Sequence, residues 1–272
     1  MKNKRPYGKD EIFKSFKEII KDKHDVIFIS GNVGALGLHS FKSKKELLDT
    51  IIEAILEISG PDTTIMTSTF SLNLANTDIP FDINKTPSMH GAIANYFLQR
   101  PDRIRSLHPF TSFAAIGPYA NYLCTKNSRF SYGIDSPYDR LLSMDNPLTI
   151  SIGMSPNLTC SIIHHVEFIM HVPYRYIKEF YHPIVKENGS ITREFFYMHV
   201  IYHEIYNVIK RDRNRKFFQY FQKNNPIFMS ELGSGKIFSY KTKDFFNSAI
   251  ELMKKDIYSW LEEPPPIRPY RN

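Results

Sequence analysis

Cysteine is scarce in this chain, with Cys124 and Cys160 as its whole complement. Two thiols build no disulfide framework, and their surroundings match no zinc-ligand spacing. The pair fits a reducing compartment, so the expected location is the cytoplasm. Long apolar runs are missing too: no stretch approaches the roughly 18 residues that a membrane-spanning helix needs. Met1-Lys2-Asn3-Lys4-Arg5-Pro6 is basic, but no apolar segment follows it, which argues against a secretory signal. Internal repeats and Gly/Pro-rich linkers are absent, so the 272 residues read as one domain, with residues 264–272 as a short tail after Pro264-Pro265-Pro266.

What the chain does contain is apolar and aromatic material, 42% and 14% of its residues, enough for a packed core and too much for a disordered polymer. Its formal charge is +7. A basic balance is compatible with nucleic acid, with a merely solvated surface, or with an anionic ligand. The one dense patch, residues 210–216, comes without a recognised nucleic-acid reading module, so neither nucleic acid nor a membrane is expected as partner.

Apolar spacing predicts a helix from Asp10 to Lys21 and another from Ser43 to Ser59, where Ser43 precedes Glu46 by three residues as in a capping box. Asp25–Ser30, Thr63–Phe70, Ser112–Gly117 and Leu148–Gly153 read as short strands. Gly91–Leu98 and Asp244–Leu261 read as helices, Glu194–Val208 as strand or helix, and Asn73–Pro87 as a long surface loop. Strands alternating with helices indicate an α/β class with a central mixed sheet flanked by helices.

Three stretches carry chemistry-bearing residues. Thr159–Met170 reads as one apolar helix that holds His164 and Glu167 three residues apart, on one face. A carboxylate beside an imidazole fixes its tautomer and raises its basicity, which suits a general base. An isolated pair of this kind is more often structural than catalytic. His165 reads as packing. His171 lies near the pair, but no zinc-site spacing results and no metal is expected. Cys160, four residues before His164, opens a Cys-His nucleophile as an alternative, against the usual role of a buried thiol as a small apolar group. The second stretch is Arg105-Ser106-Leu107-His108-Pro109-Phe110-Thr111-Ser112-Phe113, dense in polar types just before a strand. The third is the glycine-rich loop Ser30-Gly31-Asn32-Val33-Gly34-Ala35-Leu36-Gly37. It lacks the Gly-Lys-Ser/Thr ending of a phosphate loop and the Gly-x-Gly-x-x-Gly spacing of dinucleotide folds, but such a loop offers backbone N–H groups to an oxyanion.

Taken in order from about residue 26 to residue 260, these stretches resemble the aminoglycoside 3-N-acetyltransferase family. The anchors are the residue 32–37 loop, Thr69-Phe70, Arg105-Ser106-x-His108-Pro109-x-x-Ser112-Phe113, Ser136-Pro137-x-x-Arg140-Leu141, Gly153 and His164-x-x-Glu167. Two anchors depart from the family pattern: Ser30-Gly31-Asn32-Val33 stands where His-x-Ser-Leu is usual, and Ser68 where a proline precedes Thr-Phe. The resemblance implies a non-GNAT α/β fold, acetyl-CoA as acyl donor and an amine as acceptor. It assigns His164 as general base and Glu167 as its orienter. It places Ser30, Gly31, Asn32, Val33, Gly34, Thr69, His108, Ser112 and Phe113 at the coenzyme, and Arg140 at the acceptor cleft. Because the chain is basic, the expected acceptor is an amino sugar, nucleotide-linked or destined for a glycan. An aminoglycoside antibiotic is the alternative, and a non-catalytic ligand-binding relative is the alternative of another class. The expected partners are that acceptor and CoA, with a homodimer as candidate assembly.

Overall fold

The computed structural model describes residues 5–211 and 216–271. In chain order the elements are α1 (Lys9–Ile19), β1 (Val26–Gly31), α2 (Lys44–Ser59), β2 (Thr64–Ser68), α3 (Gly91–Gln99), β3 (Ile104–Arg105), β4 (Phe113–Ile116), α4 (Ala120–Cys124), α5 (Pro137–Ser143) and β5 (Leu148–Ile152). There follow α6 (Pro156–Thr159), α7 (Ile163–Ile169), β6 (Arg175–Val185), β7 (Ile191–Ile201), α8 (Lys216–Asn224), β8 (Phe228–Leu232), β9 (Gly235–Lys241) and α9 (Thr242–Lys255).

One seven-stranded mixed sheet runs in the order β3-β4-β2-β1-β5-β9-β8. Its centre is parallel, with β1 flanked by β2 and β5, and its margins β4, β9 and β8 run antiparallel to their inner neighbours. The central strands are buried on both faces, which is why they read as continuous apolar runs. Alternation still sorts their side chains. Ile27, Ile29, Ile65 and Ile150 pack under α1, α2 and α3, while Val26, Phe28, Met66 and Tyr240 pack under α4, α5, α7, α8 and α9. The result is a helix–sheet–helix sandwich. Local signals agree with it: Ser43 Oγ accepts from Glu46 N at 3.1 Å and Glu46 returns to Lys42 N at 2.8 Å, closing the first turn of α2.

Strands β6 and β7 form a separate hairpin of two 11-residue strands. Its inner face (Phe180, Ile184, Phe196) packs on Leu74, Phe81 and Phe110, so the irregular segment after β2 is held between hairpin and sheet. Glu194–Val208 therefore resolves into strand up to Ile201 and a short 3-10 turn at His203–Ile205.

Two helix expectations need correction. The predicted Asp244–Leu261 helix stops at Lys255, and Tyr258–Leu261 folds back against the β-bridge between Arg211 and Leu261. The predicted Thr159–Met170 helix is two short helices. Cys160 leaves helical geometry (φ −79°, ψ 57°), Thr159 Oγ1 bonds Ser151 Oγ at 2.7 Å, and the Ser161 hydroxyl bonds Tyr138. Hydroxyl residues with partners outside the helix compete with its ladder, and here they break it. Among the described residues no helix is long and apolar enough to cross a membrane. Residues 212–215 of the basic patch lie outside the described residues.

Candidate active site

The carboxyl ends of the three parallel strands open into one cleft of about 570 Å³, where open α/β sheets commonly hold ligands. Ser30 and Gly31 come from β1, Thr67 and Ser68 from β2, and Met154 from the turn after β5. Gly31 is required there: at φ 122° a Cβ would lie 2.1 Å from the Ile152 carbonyl oxygen. The opposite wall is Arg175 and residues 198–201 of the hairpin, and Arg211 with Trp260 completes it.

His164 stands on α7 with its side chain at the cleft, and the contact expected from its spacing is made. Its Nδ1 lies 2.5 Å from Glu167 Oε2. Glu167 itself is 1% exposed. Its other oxygen accepts from the Tyr174 hydroxyl at 2.9 Å, and Arg175 Nε lies 3.1 Å from Oε2 as an ion pair. These two residues reach Glu167 because the chain reverses after α7, with His171 in the left-handed region (φ 49°), and leads at once into β6. Burial alone would push the Glu167 carboxyl up, but Arg175, His164 and Tyr174 outweigh it and hold it well below the ordinary range. The carboxylate is therefore ionised, the shared proton resides on Nδ1, and the lone pair of His164 Nε2 remains. Burial, Arg175 and Arg211 lower the His164 pKa against the opposing pull of Glu167, so the ring is neutral at pH 7. Arg211 Nη2 donates to that Nε2 at 3.3 Å.

The other expected site residues fall in four places. Ser30 and Gly31 line the cleft. Thr69, His108, Ser112 and Phe113 are buried in the layer behind it. Thr69 and Ser112 hydroxyls bond each other at 3.0 Å, and Arg105 Nε donates to Ser112 Oγ at 3.1 Å. His108 Nδ1 accepts from Phe110 N and Thr111 N, and burial pulls its pKa down to about 3. This network stiffens the turn that presents Thr111 to the cleft. Asn32, Val33 and Gly34 point elsewhere: Asn32 Oδ1 accepts from Gly34 N at 3.0 Å to cap a 3-10 turn, and Val33 enters the core. Arg140 lies outside the cleft. Its guanidinium donates to the carbonyls of Tyr122, Thr125 and Lys126 and pairs with Asp135, so it ties the segment after α4 to α5. Cys160 lines the cleft, but burial pushes its thiol up to about 12, which leaves no thiolate for nucleophilic attack. His165 accepts from Gly133 N at Nδ1 and is a packing residue, as expected.

Sequence reasoning missed Tyr174, Arg175, Arg211 and Trp260. The first two stand seven and eight residues after Glu167 with no helical register to link them. The last two are remote in the chain and are brought together at the cleft beside the Arg211–Leu261 bridge.

Residues 36–254 match the family model described as aminoglycoside 3-N-acetyltransferase. Aminoglycoside N(3)-acetyltransferase VII of Streptomyces paromomycinus is 29% identical over 107 residues, 39% of this chain; the match spans little more than a third (36%) of that relative's length. Sisomicin-bound AAC-VIa superposes with a TM-score of 0.77 at 19% identity, covering 92% of this chain and 99% of that one. AAC-IIIb in binary complex with CoASH gives 0.76 at 17% identity, covering 96% and 100%. These likenesses confirm the fold expected from the sequence.

Proposed function

Since the chain belongs to the aminoglycoside 3-N-acetyltransferase family, we propose that it transfers the acetyl group of acetyl-CoA to an amine of a sugar, with His164 as general base. One observation carries this reading: a neutral imidazole at the cleft, its Nδ1 held 2.5 Å from an ionised, buried Glu167. His164 Nε2 takes the proton as the amine nitrogen attacks the thioester carbon. The N–C bond forms, the C–S bond breaks, and the coenzyme leaves as its thiol, with His164 returning the proton. Glu167 keeps the tautomer, and Tyr174 and Arg175 keep Glu167. The cleft suits an acyl-thioester arm, with the hydroxyls of Thr67, Ser68, Thr111 and Ser131 interspersed among Phe70, Leu72 and Ile163. Ser30 and Gly31, at the carboxyl end of β1, bring backbone to the same cleft.

The similarity to an aminoglycoside N(3)-acetyltransferase and to sisomicin-bound AAC-VIa favours an aminoglycoside acceptor over the nucleotide-linked amino sugar expected from the sequence. The test is steady-state thiol release from acetyl-CoA with kanamycin or glucosamine as acceptor. The His164→Ala variant should lose at least ~10²-fold in kcat while binding CoA with unchanged affinity. Equal turnover by wild type and variant would overturn the assignment of the base.

A further inference from the structure

The cleft is one-sided in charge. Its lining includes Arg175 and Arg211, and no aspartate or glutamate among the described residues. Glu167 lies behind His164, and Arg175 already offsets its charge. Arg211 is different. Among the described residues no carboxylate pairs with it, and its guanidinium rests on the proton-accepting nitrogen of His164 at 3.3 Å. Its backbone is fixed by the bridge to Leu261 and by Glu262 N donating to Lys210 O at 3.1 Å, so only the side chain is free to move. Beside that bridge stands Trp260, 5% exposed, whose indole Nε1–H is buried with no acceptor among the described residues. A cation and a neutral donor thus belong to residues lining the same cleft, the cation with the imidazole nitrogen as its acceptor in place of an oxyanion, and that cation covers the atom that an attacking amine must reach.

Building on the acetyl-transfer reading, we propose that Arg211 is a specificity residue: the acceptor is an amino sugar carrying a phosphate or similar oxyanion close to its amine, and that anion draws the Arg211 guanidinium off His164 Nε2. The guanidinium binds two oxygens of such a group in a planar fork, which the imidazole nitrogen does not match. Removing the cation from Nε2 and bringing the amine to it become one event. A polycationic acceptor meets the Arg211 guanidinium and, among the described residues, no lining carboxylate to replace it. The phosphates of CoA carry the same chemistry, but the position of Arg211 on the proton-accepting atom assigns it to the acceptor side.

Calorimetric titration of the full chain with glucosamine 1-phosphate, whose phosphate is vicinal to the amine, and with glucosamine tests this directly. Wild type should bind the phosphorylated sugar at least about tenfold more tightly, Arg211→Ala should abolish that difference, and Arg211→Lys should keep most of it. Parallel titrations use CoA and 3′-dephospho-CoA. A preference for the phosphorylated sugar that survives in Arg211→Ala overturns the proposal, as does wild-type affinity for the two sugars equal within twofold. A change confined to the CoA pair assigns Arg211 to the coenzyme and overturns it as well. If the binding difference stands but neither sugar nor kanamycin is acetylated, the proposal holds and the acetyl-transfer reading fails instead.

Discussion

Replacing Glu167 with glutamine keeps the shape of the buried site and removes its charge. The side chain is 1% exposed and lies 3.1 Å from the Arg175 guanidinium, itself 10% exposed. At an effective dielectric constant of about 20, that separation corresponds to an attraction of ~5 kcal/mol. Leaving one partner of a buried pair uncompensated costs about 3–5 kcal/mol. For a chain of this size the expected fall in Tm is roughly 6–15 °C. The sign with pH follows from the depressed carboxyl pKa. The stabilisation is fully present above the unfolded-state value near 4.5 and is lost as pH falls through the lower folded value. The gap in Tm between wild type and variant should therefore be constant from about pH 6 to 8. Catalysis adds a second readout. Glu167 supports the protonated form of His164, whereas burial, Arg175 and Arg211 oppose it, and the balance lies below 6.5. Without the carboxylate only the opposing influences remain. The acid limb of kcat/KM should move to lower pH while the plateau drops ~10²-fold or more. A merely structural Glu167 would lower the plateau and leave the limb in place. Scanning calorimetry and pH–rate profiles decide the matter, with Glu167→Gln/Arg175→Met as the control that removes both charges and recovers much of the lost Tm. Wild-type Tm and an unmoved acid limb in Glu167→Gln would refute the reasoning.

Two further outcomes follow from the site. Cys160→Ser should retain kcat within about threefold, because a thiol held near 12 is no nucleophile at neutral pH; a loss of ~10²-fold or more in acetyl transfer would reinstate a covalent route. Arg140→Met should lower Tm by several degrees, through the loss of its contacts to three carbonyls and Asp135, with acceptor KM unchanged; a raised KM at wild-type stability would return it to the acceptor site.

Much of the fold was legible because its central strands are buried on both faces and flanked by turn residues, as at Val26–Gly31 and Leu148–Ile152. The margins were not. Phe228–Leu232 and Gly235–Lys241 mix apolar residues with Ser, Glu, Gly and Lys, and only the pairing of β9 with β5 and of β8 with β9 reveals them as sheet. In the site, the His164–Glu167 contact was readable because three residues on a helix place side chains together whatever the rest of the protein does. The polar surroundings of the pair were not. Tyr174 and Arg175 depend on a left-handed residue at His171, and Arg211 is 47 residues from His164 in sequence. Arg140 misled for the opposite reason: a cation in a family anchor suggested a ligand contact, whereas its partners are backbone carbonyls.

The bridge between Arg211 and Leu261 also sets an order of events in the making of the protein. Strands β1, β2 and β5 and the helix bearing His164 have all been synthesised when residue 170 is made. The wall formed by Trp260 is contributed some 90 residues later. The residues of the base are therefore on the chain well before the segment that closes the cleft beside them. A truncated product ending before residue 260 would keep His164, Glu167 and Arg211 but lack Trp260 and the bridge to Leu261, and with them one wall of the cleft.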